Sequence, residues 1–209
     1  KLPDVSRVKK IGGDYDSDEL AAVCNTAALK GDIVEHYLRR GEGRPALGFA
    51  CNIAHSEALA ETFVKAGVRC EHVDGNTPTD IRDDILRRLS SGALDVVWNC
   101  QLLGEGVDLP VVKAVILARP TKSIRIYLQA AGRGSRPCGK CGACKSEPRQ
   151  RCEKTFLLLD HAGIALPPDL GGFDVPQADR AWTLEPKPKR RKGGKGEADD
   201  SDPPQSWLC

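Results

Sequence analysis

From Arg44 to His161 the sequence alternates short apolar runs with segments of helical periodicity, and this alternation restricts the fold more than any other feature. The first apolar run is ALGFACN at 46–52, and residues 54–66 then repeat apolar side chains at helical spacing, as at Leu59, Phe63 and Ala66. Further apolar runs occupy 68–74, 93–99, 111–118 and 155–161, with helical segments at 79–89 and 122–131. Alternating strands and helices predict an α/β fold, with a parallel sheet covered by helices on both faces.

The segments on either side of this core differ from it in composition. Residues 18–40 predict one or two helices with a break near Gly31, followed by a joint at 41–43. Residues 185–204 read EPKPKRRKGGKGEADDSDPP, which holds too little apolar surface to fold alone. We therefore predict a helical lead-in at 1–43, a folded domain at 44–166, and a loop with a largely disordered tail at 167–209.

The start of the sequence and its hydropathy bear on the expected cellular location. The chain has no Met and begins with Lys1, which favours a piece of a longer polypeptide. No apolar run approaches the roughly 18 residues that a membrane span requires, and no secretory leader opens the sequence. We expect a cytoplasmic protein without a membrane partner.

Eight of the nine cysteines divide into two groups, and the ninth is Cys209. Cys24, Cys51, Cys70 and Cys100 stand singly in apolar stretches, where a reduced cysteine behaves as a small hydrophobic residue. Four others lie close together in a basic insertion at 137–153, at Cys138, Cys141, Cys144 and Cys152. Their C-x-x-C spacing predicts a zinc site; an iron–sulfur cluster is the alternative, and unliganded thiols are a third reading.

Two loops near the predicted strands have unusual composition. LLGEGVDLP at 102–110 combines glycines with Asp108, and QAAGRGSR at 129–136 places Arg133 and Arg136 three residues apart on what we predict to be a glycine-rich turn. Taken separately, the first loop could be an ordinary aspartate turn and the arginines a solvated helix end. In doubly wound sheets, however, ligands bind beyond the carboxyl ends of strands, so both loops are candidate sites.

In this order the two segments resemble the C-terminal RecA-like lobe of superfamily 2 DEAD/DEAH-box helicases. LLGEGVDLP resembles motif V of that family, and QAAGRGSR matches the motif VI pattern Q-x-x-G-R-x-x-R at every fixed position. ALGFACN is similar to motif IV, and HVDGNTPTDIR to the segment after it. GDYDSDELA, ARPTKS, IYLQAAGRGSRP and LLLDHAG point to the bacterial or phage RadD-like type, and the likeness extends from about residue 14 to about residue 184.

The resemblance implies the second motor lobe of an ATP-dependent nucleic-acid helicase or translocase, with ATP and Mg²⁺ bound between this lobe and a first RecA-like lobe. The lead-in at 1–43 would be the linker from that first lobe. Arg136 would be the arginine finger, Arg133 its companion on the γ-phosphate, and Gln129 their support. Gly104, Gly106, Asp108 and Gly132 would line the nucleotide site. Short polar residues after strands would contact nucleic acid, DNA in preference to RNA, at Asn52, Thr77, Thr121 and Ser123.

Other features of the sequence depart from a complete motor. Cys100 stands where many relatives carry a threonine that contacts nucleic acid. The closest match to a P-loop is GSRPCGKC at 134–141, which ends in cysteine where the metal-binding hydroxyl belongs. We therefore expect no ATP hydrolysis by this chain alone. The alternative is a non-catalytic, zinc-containing α/β module that binds nucleic acid or a protein partner.

Overall fold

The structure, a computed structural model, describes residues 2–100, 108–139, 152 and 154–180. It opens with a strand pair, a helical pair and a π-helix: β1 (Lys10–Ile11), β2 (Asp14–Tyr15), α1 (Ser17–Cys24), α2 (Ala27–His36) and the π-helical turn Tyr37–Gly41. The main sheet contains β3 (Ala46–Phe49), β4 (Cys70–Val73), β5 (Val96–Asn99), β6 (Ala114–Leu117) and β7 (Leu157–Asp160). Its helices are α3 (Ile53–Lys65), α4 (Thr79–Ser91) and α5 (Ile124–Ser135), and a 3₁₀ turn follows at Pro168–Leu170.

The five strands of the main sheet are parallel and lie in the order β4-β5-β3-β6-β7. Each coincides with one of the five predicted apolar runs, and α3, α4 and α5 coincide with the predicted helical segments. The predicted parallel α/β sheet is therefore confirmed. Among the helices that the structure describes, none is long and apolar enough to cross a bilayer.

Alternate residues along each strand enter two separate cores. On β5, Val97 packs among residues of α4 and α5, whereas Val96 and Trp98 pack among residues of α2 and α3. The same alternation separates Val115 from Ile116 on β6. Because both faces are covered, a strand can be apolar at every position, which is why these runs lack polar alternation.

A close approach between neighbouring strands fixes Trp98 in the sheet. Gly48 is paired in register with Trp98, and a Cβ atom at Gly48 would lie 2.3 Å from Cε3 of that indole. The ring of Phe63 meets Trp98 edge-on, with 5.4 Å between centroids. Glycine at position 48 therefore provides the space that the fully buried indole occupies.

The lead-in differs from its prediction in two ways. The helices separate at Asn25–Thr26, where the Thr26 hydroxyl accepts a hydrogen bond from the Leu29 amide and begins α2. Gly31 lies inside α2, because a side-chain cap decides the helix start more strongly than one glycine disrupts a helix. The β1–β2 pair was not predicted.

The lead-in also packs tightly against the sheet domain. Leu20 of α1 shares a core with Cys51, and Ile33 of α2 lies in the core beneath α3. Its derivation from a first lobe, like the other predicted domain limits, stays a prediction. Residues 181–209, which contain the predicted disordered segment, lie outside the described residues.

Helix α5 is longer than predicted. It continues to Ser135, so that Arg133 lies on a helix and not on a glycine-rich turn. Gly134 permits this continuation beside the approach to β7, since a Cβ atom there would lie 2.3 Å from Cδ2 of Phe156. The glycines that suggested a turn are thus compatible with helix, and one of them is required by packing.

Candidate functional site

The candidate residues divide between two opposite edges of the sheet. Asn52, Thr77 and Thr121 follow the carboxyl ends of β3, β4 and β6, which are aligned in register. Helix α5 starts at that edge after Ser123 and then returns, because β6 and β7 are parallel. Its 12 residues span roughly 18 Å. The end of α5 therefore lies at the amino edge, so the expectation that both loops share the carboxyl edge is wrong.

At the amino edge, Arg136 meets Asp108. The Arg136 guanidinium donates a hydrogen bond to a carboxylate oxygen of Asp108, which lies 28 residues earlier in the chain. The side chains are 34% and 75% exposed, respectively. A pair as exposed as this contributes about 0–1 kcal/mol, so an incoming anion can displace the carboxylate at little cost.

The other arginine of the motif has different surroundings. Arg133 is 5% exposed, and Gln129 lies one helical turn before it with a half-buried side chain. The structure thus places Gln129 and Arg133 on α5 and Arg136 directly after it; Arg133 is buried, whereas Gln129 and Arg136 are partly exposed. Gly132 also lies on α5, whereas Gly104 and Gly106 fall outside the described residues.

At the carboxyl edge, two of the four predicted nucleic-acid residues cap helices. The Asn52 carbonyl accepts from the His55 amide at 2.9 Å, and its amide group donates to Asp18 at 2.8 Å. The Ser123 hydroxyl accepts from the Ile126 amide at 3.4 Å. Both caps leave the amino ends of α3 and α5 at the same edge of the sheet.

The two threonines hold turns at this edge. Thr77 donates its hydroxyl and its backbone N–H to Asp74, at 3.0 and 2.9 Å. Thr121 is 7% exposed and donates its hydroxyl to Asp14 at 2.7 Å. Each predicted contact residue therefore has a structural role within the domain, and its contact with nucleic acid stays a prediction.

Asp14 is a residue whose role the sequence did not indicate. Besides the Thr121 hydroxyl, its carboxylate accepts from the Arg119 guanidinium at 3.2 Å and from the Lys122 amide at 2.7 Å. These partners lie more than 100 residues away in the chain. The motif GDYD contains Asp14, but only the fold shows that this carboxylate fastens β2 to the loop after β6.

The described part of the cysteine cluster consists of Cys138 and Cys152. The backbone N–H groups of Cys138 and Lys154 both donate to Sγ of Cys152, at 3.3 and 3.4 Å. Cys141 and Cys144 lie outside the described residues. Within the described ranges, no group of three or more histidine, cysteine or acidic residues is arranged to hold a metal ion.

The isolated cysteines are packing residues. Cys24, Cys51 and Cys70 are buried and Cys100 is half-buried. A hydrogen bond with Cys24 and then burial raise the pKa of the Cys51 thiol, and burial raises the pKa of Cys70 and of Cys100. The prediction of reduced core cysteines agrees with this environment.

Two neutral histidines border a small cavity near the carboxyl edge. His55 accepts a hydrogen bond from the Cys51 amide through Nδ1, and its Nε2 atom has no hydrogen-bond partner among the described residues. Burial lowers the pKa of His55 to about 4, with a further contribution from Lys30. Burial and then His36 lower the pKa of His161 to about 4. Both rings line the cavity, without forming a metal site.

Comparison with known proteins identifies a helicase domain family. A profile described as the helicase conserved C-terminal domain matches residues 29–138. The chain is 32% identical over 133 residues to a 51.5 kDa protein of a Lactococcus phage (isolate 7-9), and the match covers 64% of this chain and 29% of that protein. It is 31% identical over 136 residues to putative ATP-dependent helicase IRC3 of Saccharomyces cerevisiae, with 64% and 20% covered.

A solved structure shows the same fold. The E. coli DEAD-box protein SrmB, bound to regulator of ribonuclease activity A, superposes with a TM-score of 0.51 at 20% identity, covering 63% of this chain and 68% of that chain. The likeness at this identity concerns the RecA-like fold. The chain spans less than a third of the phage protein and of the yeast protein.

Proposed function

Because the chain belongs to the family of helicase conserved C-terminal domains, we propose that it is the second motor lobe of an ATP-dependent nucleic-acid helicase or translocase. The observation that supports this most is the pairing of Arg136 with Asp108 at the amino edge of the sheet. It joins the two segments that resemble motifs V and VI. A first RecA-like lobe would supply the P-loop and the Mg²⁺ ligands.

Arg136 is suited to act as the arginine finger. It follows the last residue of α5, and its weak pair with Asp108 holds the guanidinium near the surface until a phosphate replaces the carboxylate. A guanidinium presents N–H groups in a planar fork that fits two phosphate oxygens. Arg133 and Gln129 would support this end of the helix, and Asp108, Gly104, Gly106 and Gly132 would line the nucleotide site.

Nucleic acid would bind at the opposite edge. The amino ends of α3 and α5 direct backbone N–H groups there, beside Asn52, Thr77, Thr121 and Ser123. Such groups suit contacts with phosphate, which position a strand without reading its sequence. We expect DNA to be preferred over RNA. ATP and nucleic acid would thus act on opposite ends of the same sheet.

The experiment is steady-state ATP hydrolysis by the polypeptide that carries both lobes, with saturating nucleic acid. Arg136→Ala should reduce turnover by about a thousandfold, as for other arginine fingers, and Arg136→Lys should not restore it. The matched control is Arg125→Ala, an exposed position earlier on α5, which should change turnover little. Thermal melts exclude unfolding.

Near-normal turnover of Arg136→Ala would contradict the motor and favour the non-catalytic module. The 209-residue chain alone should show no hydrolysis above background, because its sequence contains no complete P-loop. Sustained hydrolysis by this chain would also contradict the proposal.

We further propose a structural zinc site formed by Cys138, Cys141, Cys144 and Cys152. Two backbone N–H groups already donate to the Cys152 sulfur, which suits the thiolate that a metal requires. Metal analysis should give about one zinc per chain for four thiolate ligands. Iron with visible absorbance would indicate the iron–sulfur alternative, and an absence of metal would indicate free thiols.

A further inference from the structure

We propose that Lys154 is a positioning residue for Arg136, and that it fixes the arginine finger by holding the backbone from which the guanidinium extends. The Lys154 ammonium donates a hydrogen bond to the backbone carbonyl of Arg136 at 2.9 Å. This inference rests on the proposed function, because the position of Arg136 affects catalysis only if the residue acts on ATP.

The backbone at Arg136 needs an anchor from outside the helix. Arg136 leaves the helical conformation, with φ −59° and ψ 136°. Carbonyl groups at a helix end lack partners within the helix, and cations are favoured near them. Lys154 is half-buried with its ammonium directed to this carbonyl, whereas most lysine ammonium groups extend into water.

The segment that carries Lys154 contacts the end of α5 at three points. The ring of Phe156 packs on Gly134, the Lys154 ammonium binds the Arg136 carbonyl, and Sγ of Cys152 accepts from the Cys138 amide at 3.3 Å. The contacts occur at every second residue of each segment, and the two segments run in opposite directions. The approach to β7 therefore fastens the residues on both sides of Arg136, and Lys154 holds Arg136 itself.

A lysine that only caps the helix would make the same contact. Capping and positioning differ in the property that loss of the lysine would change. A capping lysine contributes to the free energy of unfolding and leaves turnover of the folded protein intact. A positioning lysine affects kcat in the folded protein, because a displacement of about 1 Å in a catalytic group can cost on the order of 100-fold in rate. The effect must also depend on the presence of Arg136.

The test uses Lys154→Met, which retains a linear apolar side chain but removes the ammonium, in the polypeptide that carries both lobes. We expect kcat for ATP to fall by about 10- to 100-fold, with KM for ATP and Kd for nucleic acid within about twofold. Lys154→Arg should recover most of the turnover, because it can still donate to the carbonyl. The control is Lys65→Met, an exposed lysine at the end of α3, which should leave kcat unchanged.

The Arg136→Ala background separates positioning from a general effect. There, Lys154→Met should cause no further loss, because residues that act as a unit are not additive. An equal additional loss would overturn the positioning role, as would an unchanged kcat in Lys154→Met. If Arg136→Ala itself retains normal turnover, the proposed function is overturned together with this inference. If Arg136→Ala is inactive and Lys154→Met is normal, only the role of Lys154 is overturned.

Discussion

At the scale of single residues, two glycines on α5 have opposite surroundings. Gly134 faces the ring of Phe156, where an added Cβ would lie 2.3 Å from Cδ2 and 2.7 Å from Cγ. At Gly132, two residues earlier, no atom of the described residues outside the adjoining helix backbone lies within 4 Å of the position of a Cβ. Of these two glycines, packing therefore requires only Gly134.

We predict that Gly134→Ala lowers the free energy of unfolding by about 1–3 kcal/mol, because the ring of Phe156 must move. Gly132→Ala should leave it unchanged or raise it by up to about 1 kcal/mol, since alanine favours helix more than glycine does. Urea unfolding of the two variants beside the unsubstituted chain measures the difference. Equal changes in the two variants would show that the contact with Phe156 does not constrain position 134.

At the scale of elements, Asp14 attaches the β1–β2 strand pair to the sheet domain. Its side chain is 16% exposed and that of Arg119 is 13% exposed, so the pair is largely removed from solvent. Nε of Arg119 has no hydrogen-bond partner among the described residues, which leaves Asp14 as an important partner of that guanidinium. Removing the carboxylate would leave a poorly solvated cation at the base of the strand pair.

We predict that Asp14→Ala lowers the free energy of unfolding by about 3 kcal/mol, as expected when one partner of a buried ion pair is removed. Asp4→Ala is the control: this exposed aspartate accepts a hydrogen bond from the nearby Ser6 amide, and the change should be below about 0.5 kcal/mol. Chemical denaturation of both variants tests the difference. A loss at Asp14 no larger than at Asp4 would mean that other contacts hold the strand pair.

The elements themselves were largely predictable, whereas the contacts between distant segments were not. Strands buried on both faces, such as β6, are recognisable as continuous apolar runs, and α3 and α4 as helical periods. The partners of Asp14 depend on how the chain folds back over 105 to 108 residues, which local periodicity does not record. The position of Arg136 depends on the length of α5. The glycines of this segment predicted an earlier end of the helix, whereas the structure shows that Gly134 lies within the helix because Phe156 packs against it.

At the scale of the whole molecule, the fold keeps two histidines neutral where the lead-in meets the sheet domain. His55 is fully buried on α3, near Lys30. His161 follows β7, and its ring stacks on His36 of α2 with 5.0 Å between centroids. Asp160 and Asp32 raise the pKa of His161, but burial and His36 outweigh them. A charge on either ring would therefore oppose the packing of the lead-in.

We predict that the stability of the chain decreases as the pH falls from about 6.5 to about 4. The folded pKa of His55 and of His161 is about 4, below the ordinary value of 6.5, so in this interval the unfolded state binds the additional protons. The free energy of unfolding therefore increases with pH between these values and is independent of these groups above about 6.5. Each histidine contributes up to about 1.4 kcal/mol per pH unit. Urea unfolding at several pH values measures the slope.

His161→Phe separates this proton effect from general acid sensitivity. Phenylalanine retains an aromatic ring beside His36 but cannot bind a proton, so the slope between pH 6.5 and 4 should decrease by up to about 1.4 kcal/mol per pH unit. The slope is informative even if the variant is less stable at every pH, because a packing defect shifts the whole curve without changing proton uptake. Carboxylates with a lowered folded pKa, such as Asp95 and Glu19, have ordinary pKa values of 3.8 and 4.5, so they contribute to the slope mainly in the lower part of this interval. That contribution is common to the variant and the unsubstituted chain, so the difference between the two slopes reports His161. An unchanged slope in His161→Phe would mean that this ring is protonated equally in the folded and unfolded states.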